Sequence, residues 1–220
     1  MHNTGPDQAA TLPSGACFQL SEKEFDLLRR FIHNQAGIFL GPQKREMLKA
    51  RLGKRLRALG LPSFLRYYEY LQSTGPAGEE WVHCINAVTT NVTGFYREAH
   101  HFRFLQEKWL PELRARIEPT PRKLRIWSAG CSTGEEPYTI AMTLCESLGP
   151  RARTWDTKVL ASDIDTDALQ RAEEGVYSLD RLAGVPADLV PRYFLRGTGD
   201  KAGLVHVRPA LQDGVVFRRI

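Results

Sequence analysis

No run among the 220 residues approaches the roughly eighteen consecutive apolar residues a membrane-spanning helix needs. The stretch from Met1 to Ala16 also lacks an apolar core for export, so the chain reads as cytoplasmic with no membrane insertion. Cysteines are few. Cys17, Cys84, Cys131 and Cys145 lie far apart with no C-x-x-C pair, which argues against a zinc site, and disulfides are not expected in a reducing compartment. No metal is assigned. A content of 42% hydrophobic and 10% aromatic residues suffices for one large buried core or two small ones. The formal charge of +5 points to an acidic partner, either nucleic acid or a glutamate-rich protein surface, and charge alone does not choose.

The stretch KLRIWSAGCSTGEEPYTI, Lys123 to Ile140, reads as a buried strand, a glycine-bearing turn and a helix start. It lacks the G-x-G-x-x-G spacing that seats a pyrophosphate on a helix N-terminus, because its glycines fall as G-x-x-x-G and Glu135 and Glu136 follow at once. Two carboxylates in a first helical turn repel a phosphate and suit a cation. S-adenosylmethionine (SAM), which has a sulfonium and an ammonium but no phosphate, fits that chemistry; an ordinary βα turn is the bland alternative. About thirty residues on, KVLASDID repeats the pattern of an apolar run ending in acids. Asp163 is the candidate for ribose hydroxyls, whereas Asp165 suits the cap of the helix TDALQRAEE that Gly175 closes.

Upstream, residues 1–17 read as a flexible lead-in and 18–90 as an all-helical domain. Ser21 and Glu24 make a capping-box pattern before Phe25, Leu28 and Ile32. Leu48, Leu52, Leu56 and Leu59 give the next helix its apolar stripe, and Ser63 starts a third through Phe64, Tyr67, Tyr68 and Leu71. Trp81, Ile85 and Val88 mark a fourth. The second helix is densely basic: Lys44, Arg45, Lys49, Arg51, Lys54, Arg55 and Arg57 suit either a solvated face or a dock for an acidic partner. In TNVTGFYRE, Asn91, Thr93 and Arg97 can aim hydrogen bonds at one ligand, and Arg97 can address a carboxylate with two donors. The adjacent His100 and His101 point in different directions on a helix, which argues against a shared metal. Towards the end, 194–217 reads as a small antiparallel sheet with Leu204, Val205, Val207, Val215, Val216 and Phe217 as strand cores.

Taken together, TTNVTGFYREAHHF, WSAGCSTGEEPYTIAM, LASDIDTDAL and YFLRGTGDKAGLVHVR resemble the chemotaxis receptor glutamate O-methyltransferases, the CheR family. The resemblance runs from about Ser21 to Ile220. It implies an α/β architecture, with an N-terminal helical domain followed, over 91–220, by a Rossmann-like SAM-dependent methyltransferase domain carrying a small antiparallel β-subdomain. It implies cofactor contacts at Asn91, Thr93, Arg97, Glu136 and Asp163, with Arg97 near the methyl-transfer centre. The donor would be S-adenosyl-L-methionine, the product S-adenosyl-L-homocysteine, and the substrate a glutamate on the cytoplasmic domain of a chemoreceptor. Lys44, Arg45, Arg51, Lys54, Arg55 and Arg57 would face the receptor's methylation helices, and the β-subdomain would clasp a receptor tail. Family members continue beyond the segment GVVFRRI, so the chain is expected to be C-terminally truncated and of little activity alone. The alternatives are an RNA methyltransferase, although no nucleic acid is the expected partner, or a non-catalytic module that binds SAM or a receptor tail.

Overall fold

In the computed structural model, which describes residues 18–116, 122–150 and 155–220, the chain divides into two units, Met1–Thr89 and Thr90–Ile220. The lead-in read at 1–17 lies outside the described residues, and Cys17 with it. Helix α1 spans Glu22–Ala36 because both its ends are fixed locally. The Ser21 hydroxyl accepts from the Glu24 amide, the Glu24 carboxylate accepts from the Ser21 amide, and Gly37 closes the far end in the left-handed conformation. Helices α2 (Arg45–Leu59), α3 (Phe64–Thr74) and α4 (Glu79–Val88) follow. Leu28, Ile32, Leu48, Leu52, Leu56, Phe64, Tyr67 and Leu71 are buried completely or nearly so and form this unit's core. Leu59, read as part of the α2 stripe, is 36% exposed, because Gly60 ends the helix and turns the chain before that side chain reaches the core.

Among the described residues, one charged side chain sits inside this core. Glu80 is 5% exposed and accepts from Arg55 Nε (2.9 Å) and Nη2 (2.6 Å) and from the Tyr67 hydroxyl (2.8 Å). Two donors of a guanidinium fork and one phenol satisfy the carboxylate, which is the condition under which a buried charge is tolerated.

The second unit begins with α5 (Ala99–Phe104), a π-helical turn at Leu105–Trp109 and α6 (Leu110–Arg116). Strand β1 (Arg122–Ala129), helix α7 (Glu135–Leu148), strand β2 (Trp155–Asp163) and helix α8 (Thr166–Glu174) then alternate, which is the pattern of a parallel sheet with crossover helices. Short strands β3 (Val176–Ser178), β4 (Phe194–Arg196) and β5 (Leu204–Val207) form an antiparallel sheet in the order β3-β5-β4. Strand β6 (Val215–Arg219) pairs with β2, giving a parallel order β1-β2-β6. This corrects the reading of 194–217. Val215, Val216 and Phe217 belong to the parallel sheet, and the antiparallel sheet recruits Val176–Ser178 instead. The physical reason is register: Val159 pairs with Val215 and Ala161 with Phe217, so four buried side chains share one sheet face.

The opposite sheet face is open among the described residues. Trp127, Leu160 and Val216 stand opposite one another across the three strands, and Trp127 is 61% exposed.

Candidate functional site

The site is built where β1 and β2 end side by side. After Ala129 the chain turns through Gly130 (φ 74°), Ser132 (φ 50°) and Gly134 (φ 93°), all left-handed. Gly134 cannot be replaced without movement, since a Cβ there would lie 2.8 Å from both the Ala172 Cβ and the Tyr177 hydroxyl. The amides of Gly130 and Cys131 both donate to the Ser162 carbonyl, and the Ser132 amide donates to Asp163 Oδ2 at 2.7 Å. Asp163 is 7% exposed, and its other oxygen accepts the Asp165 amide at 2.9 Å. Each oxygen keeps a second acceptor site, so the carboxylate pins the glycine loop and can still receive a hydroxyl. Asp165 caps α8 through the Asp167 and Ala168 amides. Its second oxygen accepts from Asn91 Nδ2 at 2.6 Å.

The paired glutamates at the start of α7 divide. Glu135 is fully buried, accepts the Thr133 hydroxyl (2.6 Å) and pairs with Arg181. Glu136 is exposed and is held by the Ser128 hydroxyl at 2.7 Å. Of the two, only Glu136 therefore presents charge to a ligand at the mouth of the loop.

The 91–97 loop faces that mouth. A cavity of about 220 Å³ is lined by Thr93, Arg97, Glu98, His101, Gly130 and Glu136 among others. It brings together three of the five cofactor candidates, Thr93, Arg97 and Glu136. Asn91 and Asp163 are not among its lining residues; they are joined to each other through Asp165. Arg97 donates to the Val92 carbonyl at 2.5 Å, and its own amide donates to the Gly94 carbonyl at 3.2 Å. Its neighbours Tyr96 (φ 53°) and Glu98 (φ 56°) are both non-glycine residues in the left-handed region, a conformation that costs of the order of 1 kcal/mol or more each and clusters at functional sites. The Tyr96 amide is held by the Thr139 hydroxyl at 3.2 Å. Glu98 and His101 were not singled out as ligand-facing from the sequence, and only the fold of the loop onto α5 brings them in.

Cys131, inside the glycine loop, is buried, and burial with the nearby Asp163 pushes its thiol up to about 12. It is a neutral packing group at physiological pH. Among the described residues no cluster of three His, Cys, Asp or Glu side chains could hold a metal ion, and no helix is long and apolar enough to cross a membrane.

The basic helix needs a correction. Arg55 is committed to Glu80, and Arg51 donates to the carbonyls of Ala87 (3.1 Å) and Thr89 (2.5 Å), satisfying the C-terminal end of α4. Both are half-buried, so the docking role read for them gives way to an internal one. Arg45 binds the Leu20 carbonyl but stays exposed, as do Lys44, Lys54 and Arg57.

Comparison with known proteins places these features. Residues 91–220 match the family description "CheR methyltransferase, SAM binding domain", and residues 23–89 match "CheR methyltransferase, all-alpha domain". The chain is 44% identical over 198 residues to the chemotaxis protein methyltransferase of Escherichia coli, covering 90% of this chain and 65% of that protein. It is 45% identical over 201 residues to the Salmonella typhimurium protein of the same name, covering 91% and 66%. Chemotaxis protein methyltransferase 2 of Pseudomonas aeruginosa is 44% identical over 205 residues, covering 92% and 69%. The chain thus spans about two thirds of the length of these relatives.

Proposed function

The chain belongs to the CheR methyltransferase family, and from that premise we propose that it takes part in transfer of a methyl group from SAM to glutamate side chains on the cytoplasmic domains of chemoreceptors. The observation that carries the reading is the cavity that Arg97 and Glu136 line together with Gly130 of the glycine loop. The donor set fits the cofactor. An exposed carboxylate at a helix start suits an ammonium or sulfonium, a guanidinium suits the amino-acid carboxylate, and Asp163 retains acceptor sites for ribose hydroxyls.

When bound, SAM supplies an electrophilic methyl group on a sulfonium and leaves as S-adenosyl-L-homocysteine. The protein's own task is placement. A substrate glutamate, with a pKa near ~4.3, is already a carboxylate at neutral pH, so no residue here needs to remove a proton. Arg97 holds a carboxylate in line, the turn at Gly130–Gly134 lets the backbone come close, and Glu136 balances the positive charge. Alignment of this kind lowers a barrier chiefly by removing the need to bring partners together. No Ser, Cys or His nucleophile enters, consistent with a neutral Cys131.

Two surfaces suit the receptor. Lys44, Arg45, Lys54 and Arg57 offer exposed positive charge to acidic methylation helices. Beside the antiparallel sheet, a cavity of about 780 Å³ is lined by Leu182, Val185, Val190, Phe194, Arg196 and Arg208 among others. Its apolar wall with arginines suits a receptor tail that joins an apolar side chain to a carboxylate. The test is incubation with methyl-labelled SAM and either receptor cytoplasmic fragments or total RNA, with the Escherichia coli relative as reference. Base-labile label on the receptor fragment is expected, at a rate well below that of the reference; label in RNA instead overturns the reading.

A further inference from the structure

Arg181 lies in the 3₁₀ turn Leu179–Gly184 after β3, 88 positions from Thr93 and 46 from Glu135, yet its Nη2 reaches both. It donates to the Thr93 carbonyl at 3.1 Å and to the Glu135 carboxylate. Glu135 binds Thr133 through its other oxygen, and the Thr133 carbonyl accepts the Tyr177 hydroxyl at 2.7 Å from β3. One guanidinium thereby joins the 91–97 loop, the first turn of α7 and the glycine loop.

Two further side-chain hydrogen bonds of the 91–97 loop lie to either side of that contact. Asn91 is fixed to Asp165, and Tyr96 to Thr139. Between them, Val92 is exposed and Thr93 and Gly94 are half-exposed. Within that span the Val92 carbonyl holds the Arg97 guanidinium, so the direction of Arg97 depends on where the Val92–Gly94 backbone sits. The same turn packs closely against the loop at a second point: a Cβ on Gly184 would fall 2.3 Å from the Phe95 carbonyl.

We propose that Arg181 is a positioning residue for the SAM site, fixing the Val92–Gly94 backbone and through it the direction of Arg97. The proposal rests on the methyltransferase reading for the identity of the ligand, and on geometry alone for the tether. Both bonds leave Nη2, so the tether needs the arginine's length. A lysine side chain is one bond shorter, so its ammonium can stay with Glu135 but falls short of the Thr93 carbonyl.

The test compares ligand-free wild type with Arg181→Lys and Arg181→Ala by amide hydrogen exchange, followed by calorimetric titration with S-adenosyl-L-homocysteine. In Arg181→Lys, amides 92–97 are expected to exchange about tenfold faster, as suits loss of a charge-assisted hydrogen bond, while β1 and α7 keep wild-type protection. Arg181→Ala should do the same or more, and both should weaken ligand binding about tenfold. In an Arg97→Ala background the further loss from Arg181→Lys should be clearly smaller, because the two act through one loop. Wild-type protection of 92–97 in Arg181→Lys, or a uniform rise across the whole unit, overturns the proposal. Full additivity with Arg97→Ala also overturns it. Wild type failing to bind S-adenosyl-L-homocysteine counts against the proposed function and leaves the exchange result to decide the tether.

Discussion

Asp163 serves two masters, and its substitutions separate them. It accepts the Ser132 and Asp165 amides, and it is the proposed partner of ribose hydroxyls. Asp163→Ala should weaken binding of S-adenosyl-L-homocysteine by about 1.5 to 3 kcal/mol, the range for hydrogen bonds to a charged acceptor. Calorimetric titration measures this, and an unchanged affinity would leave Asp163 a loop fastener only. The buried thiols give a second prediction at this scale. Burial raises Cys84 and Cys131 from an ordinary 9.0 to about 12, so the folded state keeps protons that the unfolded chain loses. Their contribution to stability is present below pH 9 and is lost as pH rises through about 12. Urea titrations between pH 8 and pH 11 should show stability falling at the alkaline end, and Cys84→Ala should flatten that slope. An equal slope in the variant would place its origin elsewhere. Glu136 and Asp163 could be singled out in the sequence because each lies within a few residues of the end of an apolar strand run, and Arg97 because it shares one short polar loop with Asn91 and Thr93. Arg181 stayed hidden because its partners are distant in the chain and nothing in its immediate neighbours distinguishes it from a surface arginine.

For the helical elements, the decisive contrast lies along α2. Arg55 and Arg51 look like their exposed neighbours in sequence, since their partners Glu80, Ala87 and Thr89 lie 25 to 38 positions away. A basic run is legible; which of its members turn inward is not. Glu80→Ala leaves the Arg55 guanidinium and the Tyr67 hydroxyl without their acceptor in a dry site. It should cost about 3 kcal/mol of unfolding free energy, as breaking a buried ion pair does. Lys54→Glu with Arg57→Glu should move stability by less than about 0.5 kcal/mol and slow receptor methylation instead. Denaturant midpoints and labelled-methyl assays on the same preparations check both; a large stability loss in the double variant would deny these residues a purely docking role. Helix starts were the most legible feature, because Ser21, Ser63 and Asp165 each place a short oxygen-bearing side chain next to the amides it accepts. The sheet to which β6 belongs is not legible in sequence, because Val215, Val216 and Phe217 alternate no differently in a parallel than in an antiparallel partnership.

Over the whole chain, the order of helices first and alternating strands and helices after could be read because its two periodicities differ, one near 3.6 and one of 2. The open face of the parallel sheet could not, since exposure depends on what packs against a strand. Trp127 stands on that face with its indole donating to the Ser162 hydroxyl at 2.9 Å, while Trp109 is half-buried and Trp81 and Trp155 are buried at 5% and 6% exposure. The molecule therefore has a built-in optical reporter. Trp127 should dominate the red, iodide-quenchable part of the emission, and Trp127→Phe should remove most of it; unchanged quenching in that variant would assign the signal to another indole. Anything that later covers this face should register as a blue shift and a loss of quenching, with no added label.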